Sequence, residues 1–141
     1  MKNIDISYTD SMQAEEAFYQ AFRTHDIELM KQVWDRTDNV FCIHPGSSRI
    51  YSFDLIIASW AHIFAGKEEI NIKVCEVGYQ HDAHTSIHTV KEVLRVDNHD
   101  LGVVYATNIY HQTEQQGWKM VGHHGTPALT ELETRITNSL H

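Results

Sequence analysis

The stretch that most constrains this chain is Asn39 to Phe64, NVFCIHPGSSRIYSFDLIIASWAHIF. Val40 to Ile43 is uniformly apolar and reads as a short buried strand. His44, Pro45 and Gly46 stop it, because Pro45 has no backbone donor and biases His44 toward an extended conformation. Ser52 or Asp54 can cap the helix that follows. That helix carries Leu55, Ile56, Ile57, Trp60, Ile63 and Phe64, apolar over more than one side, and Gly66 is a good stop for it. A strand ending on a histidine beside an apolar helix builds one wall of a pocket and points a titratable ring into it.

The flanking segments tell the two halves of the chain apart. Thr9, Asp10 or Ser11 can cap a first helix in which Ala14, Ala17, Phe18, Ala21 and Phe22 share one face, ending near Thr24. Ile27, Leu29, Met30, Val33 and Trp34 repeat at helical spacing in a second. After Gly66 the period changes to two. Strands are expected from Ile70 toward Tyr79, over Thr85–Val96, Leu101–His111 and Trp118–Thr126, with tight polar turns between them. His88, Val90, Glu92, Leu94 and Val96 share one face of the second of these. In the last, alternation puts His124 on the face of Trp118 and Met120. A frayed helix around Leu132 and Ile136 is expected in the tail, 128–141. Helices first and a strand meander later is an α+β pattern, with helices on one face of an antiparallel sheet. The 141 residues suit one domain, with a core at about 9–127.

Charge narrows the partners. Lys and Arg total 11 against 19 Asp and Glu, a formal net charge of −8, so neither nucleic acid nor an anionic membrane surface is an expected partner. No apolar run is long enough to cross a bilayer, and the start, MKNIDISYTDSM, lacks the apolar stretch of a secretory signal. Together these predict a cytoplasmic protein. Cys42 and Cys75 lie in apolar runs and read as small buried hydrophobes, with a disulfide the minority alternative.

The 11 histidines are the unusual feature. His81, His84 and His99 fall in turns. No H-x-H, H-E-x-x-H or cysteine-rich motif gathers His44, His88, His111, His123 or His124 into a metal site, so neither a metal nor another cofactor is expected. His44 is either a structural ring bonded to a backbone carbonyl or an acid–base group whose pKa burial would lower. His123 and His124 point to opposite faces of one strand, so only one can look inward. Trp34, Trp60 and Trp118 read as core, with Trp60 also able to offer its N–H to a ligand. Tyr79, Tyr105 and Tyr110 are strand tyrosines, one of which could point inward as a phenol donor.

Taken together, the hairpin AEEAFYQAFRTHDIELMKQVW, the stop VFCIHPG, the helix with SW and IF, and the last strand GWKMVGHHGTP resemble the SnoaL-like branch of the nuclear-transport-factor-2-like (ketosteroid isomerase-like) superfamily. The resemblance covers about residues 9–127. It implies a cone, in which a strongly curved antiparallel sheet wraps the N-terminal helices, often dimeric through the outer sheet face. It also implies that His44 faces a cavity.

In polyketide cyclases of that superfamily a late strand carries a catalytic acid, where this chain has histidines. Ketosteroid isomerase needs an Asp base with a Tyr and a protonated acid. The strand-region acids here, Glu76, Asp82 and Glu92, do not compose that set, so that activity itself is not expected. The expected function is binding of a small hydrophobic molecule in an apolar cavity. His44 and His124 are the candidate catalytic residues for isomerase, dehydratase or cyclase chemistry. Phe18, Phe22, Trp34, Trp60, Phe64, Tyr105 and His123 are the candidate ligand contacts. A non-catalytic binding module and a purely structural homodimer remain the alternatives.

Overall fold

The computed structural model describes residues 6–66, 70–96 and 99–128, so the expected tail helix lies outside the described residues. Helix α1 spans Ser11–Thr24; of the three candidate caps Asp10 is the one used, its side chain accepting from Gln13 N at 2.8 Å. His25 ends the helix in the left-handed region, at φ 53°. Asp26 caps α2, Ile27–Val33. Strand β1 is Phe41–Ile43, and Ser52 caps α3, Phe53–Phe64. The meander follows as β2 Ile70–His81, β3 Thr85–Val96, β4 His99–Gln112 and β5 Trp118–Pro127.

The five strands form one open sheet in the order β1-β5-β4-β3-β2. The sheet is mixed rather than antiparallel throughout, because β1 joins β5 in parallel, Cys42 opposite His123. Helix α3 separates β1 from the meander in the chain and lets β1 return to the far edge. Gly122 lets the Phe41 ring lie directly over β5: a Cβ there would stand 2.5 Å from Phe41 Cε1 and displace the ring.

Helix α1 packs against β2, β4 and β5. Ala14, Phe18, Ala21, Met30, Val33, Trp34, Ile56 and Trp60 are buried between helices and sheet. Burying a ring such as Phe18 contributes about 2 kcal/mol. On the sheet, Ser86, His88, Val90 and Glu92 of β3 and Val104, Ala106, Asn108 and Tyr110 of β4 face this core.

Three register irregularities interrupt the ladders, near Cys75/Gly78, Leu94/Arg95 and Ile109/Tyr110. An extra residue in one strand bends it and reverses which positions face inward beyond that point. On β5, Tyr110 pairs with Met120 but Ile109 pairs with Gly122, leaving Val121 as the extra residue. The consequence corrects the simple alternation of the sequence. Met120 and His123 face the core, both buried, whereas His124 is exposed on the outer face. Both cysteines are free thiols, Cys42 buried and Cys75 half-buried. Among the described residues no helix is long and apolar enough to cross a membrane.

Candidate functional site

A cavity of about 530 Å³ lies between α3, the end of α1 and the inner sheet face. Its walls are mostly apolar: Phe22 from α1, Trp60 and Ile63 from α3, Ile50 from the loop, and Leu94 from β3. Pro45, Ser47, Ser59 and His62 stand with them, and Glu92, His44 and His123 complete the lining. An apolar hollow with a few convergent polar groups is the usual form of a small-molecule site.

Each polar group is held by its own element. Pro45 rests against Gly125 of β5, where a Cβ would lie 3.1 Å from Pro45 Cγ. That packing sets the position of His44 at the end of β1. His44 Nε2 lies 2.8 Å from Ser59 Oγ, and Ser59 Oγ donates its one proton to Ile56 O at 2.6 Å. Nε2 of His44 therefore carries the hydrogen, and Nδ1 is its basic nitrogen. The ring stands edge-on to Trp60, with centroids 4.7 Å apart. Burial lowers its pKa below 6.5, so the ring is neutral at pH 7.

His123 is fully buried against Phe18 and Trp60. Burial, with smaller contributions from His44 and His124, pushes its pKa down to about 3. Its Nδ1 donates to Asn108 Oδ1 at 2.6 Å, which leaves Nε2 as an acceptor. Asn108 Nδ2 donates to Tyr19 OH at 2.9 Å, and Tyr19 OH donates to Glu92 Oε2 at 2.7 Å. The run His123–Asn108–Tyr19–Glu92 is thus one directed chain of hydrogen bonds, and both its ends line the cavity.

Glu92 sits on β3 between Val74 of β2 and Val104 of β4. This dry setting pushes its pKa up to about 7, against a smaller lowering from the Tyr19 hydrogen bond. Close to neutral pH it can hold or release a proton, the condition for general acid–base work. Tyr19 itself is pushed well above its ordinary range by burial and by Glu92, so it stays a donor. The indole N–H of Trp60, on the cavity wall, is buried without an acceptor among the described residues.

Of the residues singled out in the sequence, His44, His123, Phe22 and Trp60 meet in this cavity. Phe18 and Phe64 stand behind its wall, each packed on Trp60. Trp34 is buried elsewhere, bridged to Met120. Tyr105, 53% exposed, and His124 line a shallow outer-face groove instead, with Thr107 and Thr126. Glu92, Asn108, Tyr19 and Ser59 were not among the sequence candidates. A signal for Glu92 existed, since it is the one carboxylate on the otherwise inward face that carries Val90 and Leu94.

Comparison with known proteins agrees with this architecture. Residues 12–130 match the SnoaL-like domain family. A crystal structure from Thiobacillus denitrificans, described as a proposed calcium/calmodulin-dependent protein kinase type II association domain, is 31% identical. It covers 87% of this chain and 98% of its own, with a TM-score of 0.77. A proposed dehydratase of the NTF2-like family from Streptomyces avermitilis is 27% identical over 85% of this chain and 94% of its own, also with a TM-score of 0.77. A Caulobacter vibrioides protein with a cystatin-like fold, at 11% identity, 89% and 92% coverage and a TM-score of 0.73, shares the fold alone.

The F-box protein SKIP8 of Arabidopsis thaliana is 25% identical over 114 residues, 81% of this chain and 48% of that protein. The chain therefore spans about half the length of that curated relative. The match over 12–130, with the open α+β architecture around it, shows that this chain belongs to the SnoaL-like domain family, within the NTF2-like proteins.

Proposed function

We propose that the protein binds a small, mostly apolar carbonyl compound in this cavity and moves a proton on it, with Glu92 as the group that takes and returns the proton. The observation that carries the reading is the convergence of Glu92, His123 and His44 on one apolar hollow, with Glu92 poised near pH 7. A base whose pKa matches the working pH combines the right protonation state with adequate driving force. His123, with its pKa near 3, is a poor base but a fixed acceptor. His44 and Trp60 supply donors or acceptors that orient the ligand. Enolisation followed by reprotonation elsewhere is an isomerisation, and enolisation with loss of a β-hydroxyl is a dehydration. The name of the Streptomyces relative supports the second of these.

The test uses 2-tetralone, an apolar ketone, in D2O. The expected result is saturable binding, with α-proton exchange well above the buffer rate and at least tenfold lower in Glu92→Gln. Leu94→Trp, which fills the hollow, should abolish both. Exchange at the buffer rate with binding intact would favour the non-catalytic module, and binding unaffected by Leu94→Trp would remove the cavity from the account.

We further propose that the outer sheet face around Tyr105 and His124 meets a second copy of the chain. Exposure of Tyr105 beside half-buried Val103 and Val93 supports this, as does the association-domain name of the Thiobacillus relative. Sedimentation of the wild type as a dimer, and of Tyr105→Glu as a monomer, is expected; a monomeric wild type at micromolar concentration contradicts it.

A further inference from the structure

At the start of α1, away from the cavity, a second cluster joins a hydroxyl, an imidazole and a carboxylate. His88 is wholly buried. Its Nδ1 lies 2.7 Å from Glu15 Oε2, and its Nε2 lies 3.0 Å from Ser11 Oγ and 2.8 Å from Ser86 Oγ. Glu15 Oε2 also accepts from Tyr110 OH at 3.1 Å and, more weakly, from Asn108 Nδ2 at 3.4 Å. With only donors around it the carboxylate accepts the Nδ1 proton, which leaves Nε2 to accept from a serine. That order of groups is the one that turns a serine hydroxyl into a nucleophile.

The surroundings decide which serine. Ser86 is 1% exposed, whereas Ser11 is half-buried, and both border a surface pocket of about 300 Å³. Met12, Tyr79 and Trp118 give the pocket an apolar lining, and Asp10 and Asp82 stand at it as acids. Such a site admits a small uncharged ester and repels an anionic one. Ser11 is also the first residue of a 14-residue helix, which fixes its hydroxyl beside His88.

We propose that Ser11 is a nucleophile, activated by His88 and oriented through Glu15, that cleaves small neutral esters at this pocket. Ser11 Oγ bonds to the carbonyl carbon while its proton passes to His88 Nε2. Collapse of the adduct breaks the ester C–O bond, and the leaving alkoxide takes that proton. Water, deprotonated by His88, then attacks the acyl-serine, and the released Ser11 oxygen recovers a proton. The sum is ester plus water giving acid plus alcohol. This goes beyond the cavity reading, and its test needs no cavity ligand.

The folded full chain is incubated with a neutral alkyl fluorophosphonate, which reacts preferentially with activated serines, and the modified peptide is located by mass spectrometry. The expected result is one adduct on Ser11 with loss of fluoride, at least tenfold slower in urea-unfolded protein. The hydrolysis of p-nitrophenyl acetate should fall at least tenfold in Ser11→Ala with its urea-unfolding midpoint still that of a folded chain. No adduct on Ser11 in the folded chain, equal labelling in urea, or ester hydrolysis unchanged in Ser11→Ala would overturn the proposal.

Discussion

Two buried carboxylates, Glu15 and Glu92, belong to one polar network and behave in opposite ways. Glu15 takes hydrogen bonds from His88, Tyr110 and Asn108. Among the described residues Glu92 takes one, from Tyr19, and otherwise faces valines and the cavity. Donors stabilise the charged form and dry walls oppose it. The first carboxylate is therefore built to hold its neighbours in place, and the second to gain and lose a proton. Asn108 and Tyr19 connect them, so the structural end holds the reactive end in register.

The largest expected effect comes from removing the anchoring carboxylate. Glu15→Ala leaves His88 and Tyr110 without their buried acceptor and should cost about 3–5 kcal/mol in urea unfolding, enough to threaten folding. Glu92→Gln at pH 4.5, where the folded carboxyl is protonated, should cost less than about 1 kcal/mol, because one neutral hydrogen bond replaces another. Equal losses in the two variants would erase the distinction between the two ends.

The pH dependence sharpens it. Glu92 has a folded pKa of about 7 against an ordinary 4.5. Between those values the folded chain holds a proton that the unfolded chain has released, so its contribution to stability falls as pH rises from about 4.5 to 7. His123 has a folded pKa of about 3 against 6.5, so its contribution rises between those values. The two oppose each other where they overlap. Relative to wild type, Glu92→Gln should gain on the order of 3 kcal/mol between pH 4.5 and 7, at about 1.4 kcal/mol per pKa unit. A flat difference in urea unfolding across that window would place Glu92 in contact with water.

A smaller effect is expected at the joint. Asn108→Ala strands the His123 Nδ1 proton, removes a donor to Tyr19 OH and should cost about 2 kcal/mol, together with loss of the fixed His123 tautomer in nitrogen NMR spectra. Smallest of all is the neighbour of His123. His124→Ala, on the exposed outer face, should change stability by less than about 0.5 kcal/mol and leave tetralone exchange unaltered.

These two histidines also show where the sequence stops being legible. The order of elements, the stop after Ile43 and the helix that carries Trp60 follow from local chemistry, which also narrowed the two caps to three and two neighbouring residues, among them Asp10 and Ser52. The extra residue at Val121 does not, because nothing in VGHHG distinguishes a regular strand from one that gains a residue, and a single slip exchanges the faces of His123 and His124. The parallel pairing of β1 was hidden for a related reason: three apolar residues carry no record of their partner. Glu92 was visible as a charge on an apolar face, but its value as an acid–base group depends on Tyr19, Val74 and Val104, which arrive from three other elements.

The most direct measurement is an NMR titration of the Glu92 side-chain carboxyl and the His123 ring in the folded protein. A carboxyl midpoint near pH 7, with His123 still neutral and protonated on Nδ1 at pH 5, is the predicted result. Titration of Glu92 with the surface carboxylates near pH 4.5, or of His123 near 6.5, would mean that water fills the hollow, and the proton-transfer reading would go with it.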